Sequence, residues 1–316
     1  MNRRQTNMRL LVILGVLIAA IMVLVTTDES RDRVNIQNVS FAVPDTGAIR
    51  QVTLFQPDDT VRLERTNSGW QVNGQYPMDA NLSNVLLSLL SQVSVQRPVA
   101  SSQAEEIRQR LDSAGVEVQI ITETGEESRF ITGGNATQTL SYFLPRQGET
   151  PYVVYIPGYD SYVSGLFTIP TQDWRNKTVL NAGPRELQRM AVRYPENPGQ
   201  NFEITIGDEA ISVSNVQRLD TAALFNYLQR ATFFEADNYV QPGANAAYDS
   251  LARTEPYAIV EIYTLSGREP QQLKLFYRLD EDGYFLGETS EGELVRIQAR
   301  RLVPVLRQRD FFEKDR

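Results

Sequence analysis

Four tyrosines, Tyr152, Tyr155, Tyr159 and Tyr162, crowd one stretch, YVVYIPGYDSYVSG. Such a cluster can form an aromatic platform, its ring faces taking up apolar surface and its hydroxyls forming hydrogen bonds. Tyr155, Tyr159 and Tyr162 are therefore the candidate surface for a partner or a sugar. The plainer reading has alternate tyrosines packing on a sheet while the rest line a turn. A second cluster, Asp280-Glu281-Asp282 before Gly283, invites a calcium reading. A calcium loop spaces its acids at alternate positions, with glycine sixth and a distant glutamate last. Here glycine comes fourth between strand-like runs, so a hairpin turn is expected. Glycan hydrolysis would need two carboxyl groups roughly 5–10 Å apart. The chain has 39 acids, but the sequence does not say which two would face one another.

Two absent residue types narrow the chemistry further. With no histidine, a Ser-His-Asp triad and imidazole metal sites are excluded. With no cysteine, so are disulfides, thiolate sites and thiol nucleophiles. Lys177, Lys274 and Lys314 are the only lysines among 31 basic residues, which leaves a Ser-Lys pair thinly supported. A net charge of −8 argues against nucleic acid, whose phosphates call for a basic face. No G-x-x-x-x-G-K-[ST] occurs, so no nucleotide-binding P-loop is present. No catalytic residue, cofactor site or metal site is assigned, and the chain is not expected to be an enzyme.

Around these residues, hydropathy patterning predicts the elements. Arg3, Arg4 and Arg9 precede the uncharged run LLVILGVLIAAIMVLV, Leu10 to Val25. At 1.5 Å per residue this run nearly spans a bilayer core of roughly 30 Å. An uncleaved anchor is expected, against a cleaved signal peptide or a buried soluble helix. The basic flank places the N-terminus in the cytoplasm and the body outside. Gly15, Ala19 and Ala20 are small enough to let another helix approach the anchor.

Beyond the anchor, a phrase recurs. Tyr142-Phe143-Leu144 and Tyr284-Phe285-Leu286 stand 142 residues apart. The same offset takes Gly125 to Gly267, and Leu82 and Leu86 to Leu224 and Leu228. Upstream the offset is 138, with IRQVTLFQPDD from Ile49 over LQRMAVRYPEN from Leu187. An internal duplication of about 140 residues is expected. Each copy should hold alternating strand runs and one amphipathic helix, such as Leu82, Val85, Leu86, Leu89, Leu90 and Val93. Trp70 and Trp174 are expected in the core, and WRNK from Trp174 to Lys177 as a solvated connector. Asn135-Ala-Thr137 and Asn176-Lys-Thr178 match glycosylation triplets that are common by chance. The expected class is α+β: an N-terminal transmembrane helix followed by two duplicated antiparallel-sheet-plus-helix units. The expected division is 1–27 tip and anchor, 28–47 linker and first strand, 48–180 first copy and 181–316 second copy.

The runs VTLFQPDDTVRLERTNSGWQV, LSNVLLSLLSQV, YVVYIPG and DWRNKTVL, with the N-terminal span, resemble a bacterial membrane-anchored family known as domain of unknown function 4340. That resemblance covers most of the chain after the anchor. It implies an accessory component of ABC-type transport systems, including ones related to gliding motility, and carries no catalytic residues. The expectation is a single-pass inner-membrane protein whose extracytoplasmic body binds integral-membrane transporter subunits. The alternatives are a carboxylate-dependent cell-wall glycan hydrolase and a free-standing envelope glycan- or peptide-binding protein.

Overall fold

The computed structural model describes residues 39–207, 210–241, 243–277 and 283–314. Two compact units emerge. The first comprises the described residues up to Gly74 together with Asn81–Ile169; the second comprises Gln75–Ala80 together with the chain from Pro170 onward.

The first unit begins as a meander. Strands β1 (Ile49–Phe55) and β2 (Thr60–Thr66) alternate apolar and polar residues and pair antiparallel. The Pro57-Asp58-Asp59 turn joins them, closed by a hydrogen bond from Gln56 N to Asp59 O. Strand β3 (Gly69–Val72) pairs with β2. The short β4 (Tyr76–Pro77) follows, in the segment that belongs to the second unit. Helix α1 (Ala80–Gln92) then leads to β5 (Ser94–Pro98), and helix α2 (Ser101–Ala114) to β6 (Val116–Thr122). Strands β7 (Glu127–Gly134), β8 (Ser141–Pro145) and β9 (Tyr152–Tyr155) complete the unit. Their spatial order is β3-β2-β1-β6-β7-β8-β9-β5.

In the second unit, β10 (Thr178–Asn181) forms a two-stranded pair with β14 (Phe233–Glu235). Its main sheet contains β11 (Leu187–Arg193), β12 (Phe202–Ile206), β13 (Ile211–Val213) and, after helix α3 (Thr221–Ala231), β15 (Asn238–Val240). Helix α4 (Ala246–Leu251) leads to β16 (Ala258–Thr264), β17 (Gln271–Leu275), β18 (Tyr284–Thr289) and β19 (Leu294–Gln298), and α5 (Ala299–Leu302) follows. The order is β13-β12-β11-β16-β17-β18-β19-β15, the same path as in the first unit. Even the irregularities recur. A bulge at Ile49/Gln51 faces β6, and one at Leu187/Arg189 faces β16. A bulge bends its strand and sharpens the twist, so both sheets bend at the same place.

One expectation needs correction. The α+β class gives way to a fold carried by antiparallel strands, since period-2 runs far outnumber the amphipathic helical ones and, among the described residues, the longest helix has 14 residues. Among the described residues no helix is long and apolar enough to cross a membrane, and the expected transmembrane helix falls on residues outside them. Leu10–Val25, with Gly15, Ala19 and Ala20, lies outside the described residues, as do Asp280, Glu281 and Asp282.

The first helix of the second unit buries a different set of positions from the one that the 142-residue offset aligns with the buried residues of α1. Helix α1 buries Ser83, Leu86, Leu89 and Leu90, whereas α3 buries Leu224, Tyr227 and Ala231. Structurally, Leu86 therefore corresponds to Tyr227, not to Leu228 as the sequence offset suggests. A one-residue slip turns a helix by about 100°, enough to swing Leu228 to the edge of the core. Leu86→Ala should cost about 2–5 kcal/mol, because Leu86 is 1% exposed. Leu228→Ala should cost roughly 1 kcal/mol, because only part of that side chain leaves water. Urea unfolding of both variants checks this; equal losses would restore the sequence alignment.

The other sheet faces also differ. In the first unit α2 docks Ile107 and Leu111 against Ile131, Tyr142, Leu144 and Val153. In the second, α4 has no buried residue. That sheet carries the cross-strand ion pairs Arg189–Glu203, Arg193–Glu261 and Lys274–Glu288. Glu261 is only 5% exposed and also accepts a hydrogen bond from Gln272.

Candidate functional site

The tyrosine cluster divides. Tyr152 is buried, its ring 6.2 Å from Phe41. Tyr155 ends β9 and is 40% exposed. After it, Ile156-Pro157-Gly158-Tyr159 forms a turn closed by Tyr159 N donating to Ile156 O. Gly158 has φ +82°, which L side chains seldom adopt and glycine does freely. This turn brings Tyr159 out to 68% exposure. Tyr162 folds back onto Gly134, where a Cβ would lie 2.3 Å from the tyrosine oxygen, so only glycine fits. Burial raises the Tyr162 hydroxyl pKa.

Buried polar contacts hold the segment after Tyr162. Ser164 Oγ donates to Gly133 O and lies 2.8 Å from Thr132 Oγ1, while Ser164 N donates to Ser141 Oγ. The Gln56 amide donates to Phe167 O and Ile169 O. These bonds fix the 3-10 turn Val163–Thr168 against the sheet. A groove of about 450 Å³ results between this turn and α1. Val85, Ser88 and Leu89 line it from the helix, and Tyr159, Tyr162 and Leu166 from the other side. The structure thus brings together Tyr159 and Tyr162 and leaves Tyr155 outside the groove lining. Val85, 51% exposed, is an apolar wall that the sequence assigned to the core stripe.

The second unit holds a site that sequence reasoning missed. WRNK is not a solvated connector: Trp174 is 0% and Arg175 7% exposed. Trp174 ends a 3-10 turn, Thr171–Trp174, and its burial carries Arg175 inward. The strand-like segment around Pro77 and Met78 runs antiparallel beside it, with Met78 bridged to Arg175 and Asn176 N donating to Pro77 O. The Arg175 guanidinium carbon lies 3.4 Å from the Tyr76 ring centre and 3.7 Å from that of Tyr239. Its Nη2 bonds Glu293 at 2.7 Å, and its buried Nε makes no hydrogen bond. The Tyr239 hydroxyl donates to Asn176 O. Desolvation raises that hydroxyl's pKa; the charge of Arg175 opposes the rise, and Glu293 and Glu291 reinforce it.

Around Arg175 opens a cleft of about 740 Å³, lined by Gln75, Tyr76, Asn176, Tyr239, Glu291 and Glu293 among others. Trp before Arg was the one local cue. The partners Tyr76 and Tyr239 are too distant in sequence to reveal themselves.

Among the described residues, no group of three or more acids is placed to hold a metal ion. The acid in the cleft nearest to a cation, Glu293, is engaged by a guanidinium. Asn135 of the first glycosylation triplet is a loop brace, its amide bonding Thr137, Thr139 and Leu140. What the fold defines is an antiparallel β protein of two units, whose surface carries the groove and the cleft just described. The chain belongs to the family described as Domain of unknown function (DUF4340), which matches residues 70–250. No curated protein and no solved structure matches it.

Proposed function

We propose that the protein acts by binding, as an accessory component of an ABC-type transport assembly, with its body outside the cytoplasm. The groove between α1 and the Tyr159 turn is the docking surface, and an integral-membrane transport subunit is the partner. The observation that carries this reading is the exposure of Val85 and Tyr159, 51% and 68%, on a groove whose walls are pinned by buried hydrogen bonds. A rigid apolar groove loses little entropy on docking, and aromatic anchors dominate interface energies. Family membership and the basic residues before Leu10 add support for an envelope role.

A photo-crosslinking residue at position 85 or 159 of the full chain, expressed in cells, should give an adduct with a membrane transport subunit. Val85→Glu should lower recovery of that partner roughly tenfold, because a charge would have to be desolvated in the groove. Adducts only with soluble proteins, or none from either position, would remove this reading.

A further inference from the structure

We propose that the cleft around Arg175 in the second unit is a binding site for a neutral saccharide. Its volume, about 740 Å³, lies within the roughly 300–1,000 Å³ usual for small-molecule sites. Its lining, however, is slightly more polar than apolar, and its polar side chains are of kinds that suit hydroxyl groups. Gln75 and Asn176 present carboxamides, Glu291 and Glu293 carboxylates, and Thr178 a hydroxyl. Carboxamides and carboxylates are planar forks with two hydrogen-bonding positions, which match pairs of neighbouring hydroxyls on a sugar ring. Asn176 Oδ1 already accepts from Thr178 N, which leaves its NH₂ group to donate.

The charge pattern argues against an anion. Arg175 is the only cation among the described lining residues, and its Nη2 is bound to Glu293. Glu291 stands exposed beside that pair and makes the cleft slightly acidic. A phosphate or carboxylate would meet net negative charge, whereas a neutral polyol would not.

The walls are also set before any ligand arrives. The Arg175 plane stacks on two tyrosines, and the Tyr239 hydroxyl is tied to Asn176 O. The Gln271 carboxamide makes two hydrogen bonds with the main chain of Asn181, at 2.6 and 2.8 Å. Side chains so fixed lose little freedom on binding, which favours a weakly held polar ligand.

The test is calorimetric titration of the full chain with maltotriose, cellotriose and N-acetylated chitotriose, and with inorganic phosphate for comparison. At least one trisaccharide should bind saturably, with a Kd of about 0.1–1 mM. The double substitution Gln75→Ala, Glu291→Ala should weaken that binding about tenfold, with an unchanged circular dichroism spectrum to show that the variant is folded. Tyr159→Ala, in the first unit's groove, should leave it unchanged, so the result stands apart from the docking reading. The proposal is overturned if no trisaccharide binds saturably, if binding survives the double substitution, or if phosphate binds more tightly than every sugar.

Discussion

Phe143→Ala will destabilise the protein by about 3–5 kcal/mol, and Phe285→Ala by about half as much or less. The two phenylalanines occupy the same place in the repeated Tyr-Phe-Leu phrase, so a sequence-based estimate would treat them alike. Their surroundings separate them. Phe143 is 0% exposed and stacks on Phe130 at 4.6 Å, with Phe41 and Phe167 edge-on at 5.2 and 5.9 Å. Truncation there leaves a cavity walled by rigid rings that cannot collapse into it, and forfeits favourable aromatic geometry. Phe285 only borders the second unit's core, with Tyr257 6.3 Å away. Guanidinium unfolding of the two variants measures the difference. Equal losses would mean that the ring cluster adds nothing beyond burial.

Arg175→Ala is the second large effect, expected at about 2–4 kcal/mol. Two stacked tyrosines contribute roughly 0.5–2 kcal/mol each when the cation is desolvated. The bond to Glu293 adds to this, discounted because that carboxylate is 32% exposed. Arg175→Lys keeps the charge but loses the plane that lies against both rings, so about half the loss should remain. Thermal and urea unfolding of the pair decide the matter. If alanine costs under about 1 kcal/mol, the cage does not hold the arginine as tightly as its distances imply.

Much of the strand grammar was legible, because a half-buried strand writes its two faces into alternate residues. TVRLERT buries Val61 and Leu63 and exposes Thr60 and Arg62. The Pro57-Asp58-Asp59 turn was legible for a similar reason, since its residues favour one local conformation. What could not be read was rotation about a helix axis. Apolar residues ring enough of α3 that Leu228 looked as good a core residue as Tyr227. Burying Tyr227 also needs a partner for its hydroxyl, which Val305 O supplies 78 residues later. The candidate site was legible in part. Local turn chemistry placed Tyr159 outside, but nothing local joined Arg175 to Tyr76 and Tyr239. The α+β class was expected because strand runs do not alternate regularly with helices, a pattern that a fold carried by antiparallel strands shows equally.

The segment Gln75–Ala80 has a consequence for synthesis. It leaves the ribosome amid the first unit's strands, yet its partners are Trp174, Arg175 and Asn176. At about 5–20 residues per second, the roughly 100 residues between Met78 and Arg175 take about 5–20 s to appear. For that interval Tyr76 lacks its guanidinium, and the apolar Met78, 5% exposed in the finished fold, lacks its bridge to Arg175. The nascent chain therefore passes through a stage open to chaperones and proteases, which ends only when the arginine arrives.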